Sequence, residues 1–352
     1  KLNIEVELLC IMEGVFTEEA RELGIPVTII PQEKRWDLSV LSKVKKFINN
    51  CGCDLVHCHG ARANYISLFI RGGVKVPMIT TLHSDYKLDF KDNPRKQLIY
   101  TPINAFALRR YKHILAVTKA FKYMLMLRGF KEERIDVIYN GIDFSQELQT
   151  YDMYTFFKNI NVPHDLNKKY VGIAARLFAV KGVNVFLDMA KIIADKREDI
   201  DFIILGNGEM WQQCQDFIKG NKLENRVYMA GQVTDPVMMN SYYKYIDVNT
   251  LTSYSESFPY ALLEGARCKC ATVATAVGGI PEMIIDGESG CLVQSGDSKA
   301  LAECVEMLCD KDDIRIRYGV NFYERAKENF SSQAMANTHK KIYEKIIKEN
   351  VK

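Results

Sequence analysis

Apolar residues in the first half of the chain fall into short runs separated by longer stretches with helical spacing. The short runs predict strands, at residues 5–10, 26–30, 54–57, 78–82, 113–117 and 135–139. The stretches with an apolar residue every three or four positions predict helices, at residues 17–23, 38–49, 61–71, 102–110 and 119–128. Strands that alternate with helices in this way form a parallel sheet on which the helices pack.

The second half repeats this alternation with more strongly apolar strands. Strands are predicted at residues 170–174, 201–205, 227–230, 247–250, 271–275 and 290–293, with a helix at 183–195. Residues 145–168 show little apolar periodicity and include Pro163, so we place the domain junction there. The predicted organisation is α/β throughout: an N-terminal domain at 1–150, a C-terminal domain at 165–331 and a final helix at 332–352.

The composition is that of a globular α/β protein without a membrane span. The chain has 352 residues, 47% of them hydrophobic and 26% charged, which is enough for two domain cores. No apolar run approaches the ~20 residues that cross a bilayer. The ten cysteines do not form a metal or disulfide framework: Cys51-Gly-Cys53 and Cys268-Lys-Cys270 have one intervening residue rather than the roughly two to four between zinc ligands. We therefore expect a cytoplasmic protein with no metal and no cofactor.

One segment of the first half is strongly basic. Residues 93–131 contain no Asp or Glu but nine Lys and Arg side chains: Arg95, Lys96, Arg109, Arg110, Lys112, Lys119, Lys122, Arg128 and Lys131. Apolar residues lie between these cations, which predicts a surface able to meet anionic lipid headgroups. The alternative is an ordinary solvated face beside one core stripe. Nucleic acid is not an expected partner, and the net charge of the whole chain is only +3.

Residues 256–264, which read ESFPYALLE, place two carboxylates eight positions apart around a proline. Proline suits the first turn of a helix because its missing N–H has no intrahelical partner there, so we predict a helix at 259–267. The N-terminus of such a helix offers N–H groups and partial positive charge to a phosphate. Glu264, about one turn inside, would reach a hydroxyl beside that phosphate. The pattern is typical of a site for a sugar joined to a nucleoside diphosphate.

This segment resembles the paired-glutamate signature of the retaining glycosyltransferases of family four, the group 1 glycosyl transferases of bacterial surface-polysaccharide type. Three further stretches resemble the same family in the same order: 139–143 (YNGID), 172–182 (GIAARLFAVKG) and 276–290 (AVGGIPEMIIDGESG). The resemblance implies the GT-B fold, with two Rossmann-like domains and a cleft between them. It also implies that the family's first β-α unit is missing ahead of residue 4.

The resemblance assigns roles to individual residues. Arg176 and Lys181 would hold the donor diphosphate without a metal, since a guanidinium and an ammonium both match phosphate oxygens. Glu256 would orient the donor sugar, Glu264 would hold the ribose, and His83 would line the reacting face. The other expected donor contacts are Gly206, Gly208, Gln232, Val233, Phe258, Pro259, Tyr260, Ala261 and Leu262. The expected catalytic residues are Glu256, His83, Arg176 and Lys181.

Two other patterns carry weaker signals. Gly206-Asn-Gly208 is similar to the start of a dinucleotide fingerprint, but Trp211 occupies the third glycine position. The resemblance favours a tight turn beside the nucleotide instead. Asp199 and Asp201 have the spacing of a metal-binding pair, and we interpret them as the solvated start of a strand.

Three histidines end neighbouring strands of the first domain. His57 and His59 follow one strand and His83 follows the next. Sites in wound sheets lie at such strand ends, so we expect all three to line the same cleft. The two-residue spacing of His57 and His59 could suggest a metal, but no carboxylate or further ligand follows them.

The expected function is retaining transfer of a hexose from a nucleotide sugar, with a UDP-sugar favoured. The acceptor would be a lipid-linked glycan in cell-envelope polysaccharide synthesis. The expected location is cytoplasmic and peripheral, with residues 93–131 on the inner face of the plasma membrane. Two alternatives stay open: a GT-B epimerase or hydrolase that acts on a nucleotide sugar, and a non-catalytic partner that binds one.

Overall fold

The computed structural model describes residues 2–32, 37–88 and 93–351. Apart from the undescribed residues, the chain divides into two units. The first is made of Lys1–Val117, Phe121–Ile138 and Ala336–Lys352, and the second of Thr118–Ala120 and Tyr139–Met335. All of the strands predicted from the sequence are present and pair in parallel, which confirms the α/β class.

The described part of the first unit contains two parallel sheets. Strand β1 (Leu8–Cys10) pairs with β2 (Val27–Ile29), and a second sheet has the order β3 (Val56–His59), β4 (Met78–Leu82), β5 (Ile114–Ala116) and β6 (Ile135–Val137). The helices are α1 (Val15–Glu22), α2 (Ser39–Asn50), α3 (Gly60–Ile70), α4 (Pro94–Arg110) and α5 (Lys119–Leu127). Apolar residues of α2 and α3 form one buried cluster: Val40, Val44, Ile48, Ile66 and Ile70.

Helix α4 begins two turns earlier than the sequence predicts. The predicted start was Pro102, but the helix starts at Pro94, and Pro102 lies inside it. Asn93 explains the earlier start, because its side chain accepts a hydrogen bond from the N–H of Lys96 at 3.0 Å and caps the first turn. A proline inside a helix removes one backbone hydrogen bond, so packing on the buried side must hold α4 together.

A buried polar network supplies part of that packing. The side-chain amide of Asn64 on α3 donates to Asn104 on α4 at 3.0 Å. Its oxygen, Oδ1, accepts from the hydroxyls of Thr80 at 2.7 Å and Tyr111 at 3.2 Å. Ser67 lies 2.5 Å from the Tyr111 hydroxyl. Because a buried polar group without a partner costs about 1–3 kcal/mol, this network fixes one arrangement of α3, α4 and β4.

The second unit contains one six-stranded parallel sheet. Its strands are β7 (Lys169–Ala174), β8 (Ile200–Leu205), β9 (Val227–Gly231), β10 (Val248–Leu251), β11 (Ala271–Thr275) and β12 (Cys291–Val293). Their order across the sheet is β12-β11-β10-β7-β8-β9. Chain order therefore reverses between β7 and β10. In wound sheets a ligand site lies outside the carboxyl ends of the strands at such a reversal.

Helices cover both faces of this sheet. They are α6 (Met153–Asn159), α7 (Val183–Ala194), α8 (Trp211–Gly220), α9 (Pro236–Tyr245), α10 (Tyr260–Arg267), α11 (Ile280–Met283), α12 (Ser298–Asp310) and α13 (Asp312–Asn329). Helix α14 (Ser332–Val351) follows, and from Ala336 onward it belongs to the first unit. One buried cluster packs α7 and α12 on the sheet, and a second packs α6 and α9. The predicted C-terminal helix is present as α14, although residue 352 lies outside the described residues.

The stretch proposed as a junction, 145–168, contains the regular helix α6. Asp152 caps this helix by accepting from the N–H of Thr155 at 3.0 Å. Phe156 and Phe157 are fully buried in the second unit. Two adjacent aromatic residues make an apolar spot rather than a periodic stripe, which is why the sequence pattern did not indicate a helix there.

Candidate functional site

Two loops of the second unit meet at the reversal in strand order. One follows β7 and carries Arg176 and Lys181, and the other follows β10 and carries Glu256. Because β7 and β10 are hydrogen-bonded neighbours, both loops leave the sheet at the same edge. The sequence places these residues far apart along the chain, and the sheet brings their loops together.

Lys181 and Glu256 form an ion pair across the two loops. Lys181 Nζ lies 2.6 Å from Glu256 Oε1, and the Ser253 hydroxyl donates to the same oxygen at 2.6 Å. The side chain of Glu256 is 8% exposed and that of Lys181 is 19% exposed. A carboxylate this buried is held in one orientation by its partners, and its second oxygen, Oε2, remains for another donor.

Glycines allow the surrounding loops to approach Glu256. Gly182 has φ +62°, and a Cβ there would lie 2.1 Å from the carbonyl oxygen of Thr252. Gly278 has φ +55°, and its Cβ would lie 1.7 Å from the carbonyl oxygen of Glu256. The N–H of Gly279 donates to the carbonyl of Ser257 at 3.0 Å. Side chains at these positions would push the Glu256 loop away, so Gly182 and Gly278 shape the site.

Helix α10 begins one residue later than predicted. Pro259 is the capping residue, with φ −73° and ψ 119°, and Tyr260 is the first helical residue. The side chains of Phe258 and Leu262 are not available to a ligand: Phe258 is 2% exposed between Tyr139 and Phe330, and Leu262 is 0% exposed. The donor contacts expected at these two positions stay a prediction, and because both side chains are in the core, such contacts would come from the backbone.

The accessible part of α10 is its first turn and Glu264. Pro259 is buried and Ala261 is half-buried, whereas Tyr260 is 48% exposed. The first N–H groups of the helix have no intrahelical acceptor. Glu264 is half-buried one turn inside, with its Oε2 3.5 Å from the Tyr243 hydroxyl, at the outer limit of a hydrogen bond. Burial raises the pKa of the Glu264 carboxyl.

Arg176, Gly206 and Gly208 belong to the same strand-end region. Arg176 is exposed and its guanidinium lies over the Phe178 ring, 5.5 Å from the centroid. Gly206 has φ +136°, and a Cβ there would lie 1.8 Å from the carbonyl oxygen of Ala175. A Cβ on Gly208 would lie 2.5 Å from the carbonyl oxygen of Leu177. The turn after β8 thus packs directly on the loop after β7, which only glycine permits at these two positions.

The turn after β9 places Gln232 and Val233 beside this region. The N–H of Gly206 donates to the carbonyl of Gly231 at 2.8 Å, which joins the ends of β8 and β9. Gln232 is exposed, whereas Val233 is half-buried against the cluster that packs α6 and α9. Gln232 is therefore the more accessible of the two to a ligand.

The Asp199–Asp201 pair is not a solvated strand start. Asp201 is 4% exposed and binds Lys168 at 3.2 Å and Arg226 at 2.8 Å. Asp199 pairs with Arg197 at 2.7 Å. The interpretation of Asp201 was wrong because side chains of neighbouring segments cover the amino end of β8, and sequence spacing does not reveal such cover. Among the described residues, no group of three or more His, Cys, Asp or Glu side chains is arranged to hold a metal.

A histidine cluster occupies the carboxyl ends of β3 and β4 in the first unit. His57 Nε2 lies 2.7 Å from the Thr81 hydroxyl and its Nδ1 lies 2.6 Å from the Tyr343 hydroxyl. His59 Nδ1 lies 3.0 Å from His83 Nε2. Burial lowers the pKa of His57 to about 2, lowers the pKa of His59 to about 4, and also lowers the pKa of His83. The sequence therefore grouped these three histidines correctly, but their individual hydrogen bonds were not foreseen.

The basic segment 93–131 is less uniformly cationic than its sequence suggests. Arg128 forms a two-point ion pair with Asp85, at 2.6 and 2.7 Å. Lys122 pairs with Glu132 at 3.1 Å, and Lys131 lies 3.7 Å from an oxygen of Glu133. The prediction of nine available cations is corrected accordingly, because carboxylates from outside the segment neutralise three of them.

Three of the remaining six cations lie at the ends of an apolar stripe on α4. Its outward face carries the exposed residues Arg95, Leu98, Ile99, Pro102, Phe106, Arg109 and Arg110. Leu98 is 80% exposed, Ile99 is 52% exposed and Phe106 is 49% exposed. Arginines thus stand at both ends of a solvent-facing apolar surface. No helix in the described ranges is long and apolar enough to cross a membrane.

Two family models together match most of the chain. The model described as Glycosyl transferases group 1 matches residues 156–329, and the model described as Glycosyltransferase Family 4 matches residues 1–146. The chain belongs to these glycosyltransferases. The family resemblance read from 139–143, 172–182, 256–264 and 276–290 is thereby confirmed.

Relatives of this glycosyltransferase align along most of its length. An uncharacterized glycosyltransferase of Methanocaldococcus jannaschii is 27% identical over 86% of this chain and 78% of its own. The N,N'-diacetylbacillosaminyl-diphospho-undecaprenol alpha-1,3-N-acetylgalactosaminyltransferase of Campylobacter jejuni is 24% identical over 95% of this chain and 89% of its own.

Solved structures share the fold of this glycosyltransferase. The crystal structure of Anabaena HepE in complex with UDP has a TM-score of 0.79 and 20% identity, and the match covers 96% of this chain and 91% of that one. HepE has also been crystallised in complex with UDP-glucose. The chain has the GT-B fold that the resemblance implied.

Some residues of the site could not be found in the sequence of this glycosyltransferase. Ser253 shares Glu256 with Lys181, and Tyr243 approaches Glu264. Tyr343 reaches His57 from α14. Serine and tyrosine are common residues with no special spacing here, so only the folded chain reveals these partners.

Proposed function

We propose that this glycosyltransferase transfers a hexose from a nucleotide sugar, with a UDP-sugar as the favoured donor, and retains the anomeric configuration. The observation that carries the proposal is the Lys181–Glu256 pair at the reversal in strand order of the second unit. A cation for phosphate and a carboxylate for sugar hydroxyls lie together there. The complexes of HepE with UDP and UDP-glucose support this choice of donor.

Lys181 and Arg176 stabilise the departing diphosphate in this proposal. Charge on the leaving group grows as the bond to the sugar breaks, and cations held in place beforehand lower the energy of that state. Lys181 is fixed by Glu256, whereas Arg176 is exposed and able to turn from Phe178 towards a ligand. Two cations supply this stabilisation, so the proposed reaction requires no metal.

Glu256 and Glu264 hold the sugar and the ribose. Each carboxylate accepts hydrogen bonds from hydroxyls, and Glu256 keeps Oε2 for this purpose while Ser253 and Lys181 occupy Oε1. The first turn of α10 places N–H groups between them, where the diphosphate would bind. The nucleotide would be bordered by Gly206, Gly208 and the exposed Gln232. Val233 would lie next to Gln232, half-buried against the cluster that packs α6 and α9.

The acceptor is proposed to be a lipid-linked glycan at a membrane surface. The α4 face joins an apolar stripe to arginines at both ends, a combination that binds anionic bilayers by partial insertion and charge attraction. The Campylobacter relative, whose name describes a diphospho-undecaprenol-linked acceptor, supports this class. We place the protein at the cytoplasmic face of the membrane, in cell-envelope polysaccharide synthesis.

Retention is proposed with His83 at the reacting face and the leaving phosphate as acceptor of the proton. The acceptor hydroxyl then attacks from the side that the diphosphate leaves, and its proton passes to a phosphate oxygen. His83 lies at the end of β4 with part of its ring open to solvent, and desolvation of the rest lowers the pKa of the imidazole, so it is neutral near pH 7. A neutral imidazole both donates and accepts one hydrogen bond, which suits contact with a sugar.

A nucleotide-sugar panel tests the proposal. The full chain is incubated with UDP-, GDP- and ADP-sugars, with and without a lipid-diphosphate-linked acceptor, and nucleoside diphosphate release is measured with and without EDTA. Acceptor-dependent release of UDP that survives EDTA is the expected result. Release of the nucleoside diphosphate without an acceptor indicates the hydrolase alternative, and conversion of the donor sugar without release indicates an epimerase. Binding of a nucleotide sugar without either reaction contradicts the proposal that the protein is an enzyme.

A further inference from the structure

The first unit holds a hydrogen-bonded pair of imidazoles, His59 and His83, of which only His83 has been given a role so far. His59 is the last residue of β3, where it pairs in register with Thr81 of β4, and His83 lies two residues beyond Thr81. Side chains two residues apart point to the same face of a sheet. The register of two parallel strands therefore sets His59 Nδ1 3.0 Å from His83 Nε2.

His57 packs against this pair of imidazoles. The ring of His57 lies 4.2 Å from the ring of His59, and both of its nitrogens are occupied by the hydroxyls of Thr81 and Tyr343. His57 is thus held in place and shields the inner side of His59. His59 and His83, in contrast, are exposed, so a ligand reaches both rings.

The number of protons on the two imidazoles limits which hydrogen-bond donors and acceptors the pair offers to a ligand. One ring must donate and the other must accept across the 3.0 Å contact, because two N–H groups cannot face each other. Burial lowers the pKa of both imidazoles, so both are neutral near pH 7. If His59 donates, His83 Nδ1 carries a proton; if His83 donates, its Nδ1 is an acceptor. In either case one outer nitrogen of the pair carries a proton and the other does not.

We propose that His59 is a positioning residue that holds the His83 ring in one orientation and one tautomer. The outer nitrogens, His83 Nδ1 and His59 Nε2, then always present one donor and one acceptor. A hydroxyl group also donates once and accepts once, so the pair matches a carbohydrate hydroxyl. This inference rests on the proposed function, in which His83 meets the reacting sugar.

Three substitutions of His59 separate this role from simple packing. His59→Asn places an amide where Nδ1 stands and keeps a hydrogen bond to His83. His59→Gln extends the amide towards the position of Nε2, and His59→Leu removes the bond altogether. His113→Asn is the matched control, since His113 lies away from the cluster and contacts Glu349 at 3.3 Å.

The first readout is the two-bond ¹H–¹⁵N spectrum of the imidazoles in the full chain, with the His83 signals assigned from His83→Gln. Unaltered protein should show one tautomer of His83 at pH 7.5. That pattern should persist in His59→Asn and change to averaged ring shifts in His59→Leu and His59→Gln. Identical His83 ring shifts in unaltered protein and His59→Leu overturn the proposal.

The second readout is turnover at saturating donor. His59→Leu and His59→Gln should lose about 10- to 100-fold in kcat, the scale of a small misplacement at a reacting centre, whereas His113→Asn stays near the unaltered value. His59→Asn keeps the hydrogen bond to His83 but lacks Nε2, so its loss of kcat should be smaller than that of His59→Leu. Changed shifts with unchanged kcat also overturn the positioning role. If the unaltered protein has no activity with any donor, the proposed function fails, and the ring shifts still decide whether His59 holds His83.

Discussion

Lys181 Nζ lies 2.6 Å from Glu256 Oε1, so the cation proposed for the donor phosphate is paired with the carboxylate proposed for the donor sugar. The pair fixes both side chains before a donor arrives. It also means that a diphosphate must share Lys181 with Glu256. Substitutions of the two residues should therefore have opposite effects on nucleotide affinity.

Lys181→Ala should weaken binding of a nucleoside diphosphate by about 1.5–3 kcal/mol, the scale of a charged hydrogen bond. Arg176→Ala should weaken it by a similar amount. Calorimetry with UDP measures both. Lys191→Ala is the control, because Lys191 is a lysine of α7 that pairs with Asp195 on the surface. Affinity equal to that of the control in both variants rules out the assignment.

Glu256→Gln should strengthen UDP binding while abolishing most turnover. The neutral amide no longer competes with phosphate for Lys181, and it no longer accepts the charged hydrogen bonds of a carboxylate. Calorimetry should show a lower dissociation constant for UDP, and the transfer assay a large loss of kcat. Weaker UDP binding in this variant would mean that Glu256 orients Lys181 rather than competing for it.

Gly278→Ala should reduce turnover by about 100-fold, because its Cβ would collide with the carbonyl oxygen of Glu256 at 1.7 Å and displace the loop. Gly287→Ala is the matched control: Gly287 has a similar φ of +73° but open space around the added Cβ. It should lose only the roughly 1–2 kcal/mol of backbone strain. Equal kcat in the two variants, measured below both melting temperatures, would contradict the role of Gly278.

Replacing Leu98 and Phe106 on the α4 face by Ser should reduce binding to vesicles that contain phosphatidylglycerol. Reversing Arg95, Arg109 and Arg110 to Glu should release the protein further, since each cation near an anionic surface contributes about 1 kcal/mol. Co-sedimentation measures both effects, and added salt should weaken binding of the unaltered protein.

The control for this surface is a charge reversal elsewhere in the first unit. Helix α2 carries three exposed lysines: Lys43, Lys45 and Lys46. Their reversal changes the net charge by the same amount but leaves the α4 stripe intact. Release by this control as large as release by the arginine variant indicates general charge attraction, and no binding by the unaltered protein refutes the membrane contact.

The sequence predicted most of the fold because its strands are short apolar runs and its glycines and carboxylates follow them in a fixed order. It missed the start of α4 because the pattern of apolar residues does not show that Asn93 caps the helix, or that the helix continues through Pro102. It misjudged Asp201, since Lys168 and Arg226 come from other segments. Contacts such as His59 with His83 depend on strand register, which a pattern of residue types does not contain.

Proton NMR of the transfer product tests the central claim most directly. The protein is incubated with the UDP-sugar that supports acceptor-dependent UDP release, and the anomeric coupling constant of the new linkage is compared with that of the donor. We predict the same anomeric configuration in donor and product. An inverted anomeric centre would contradict the account.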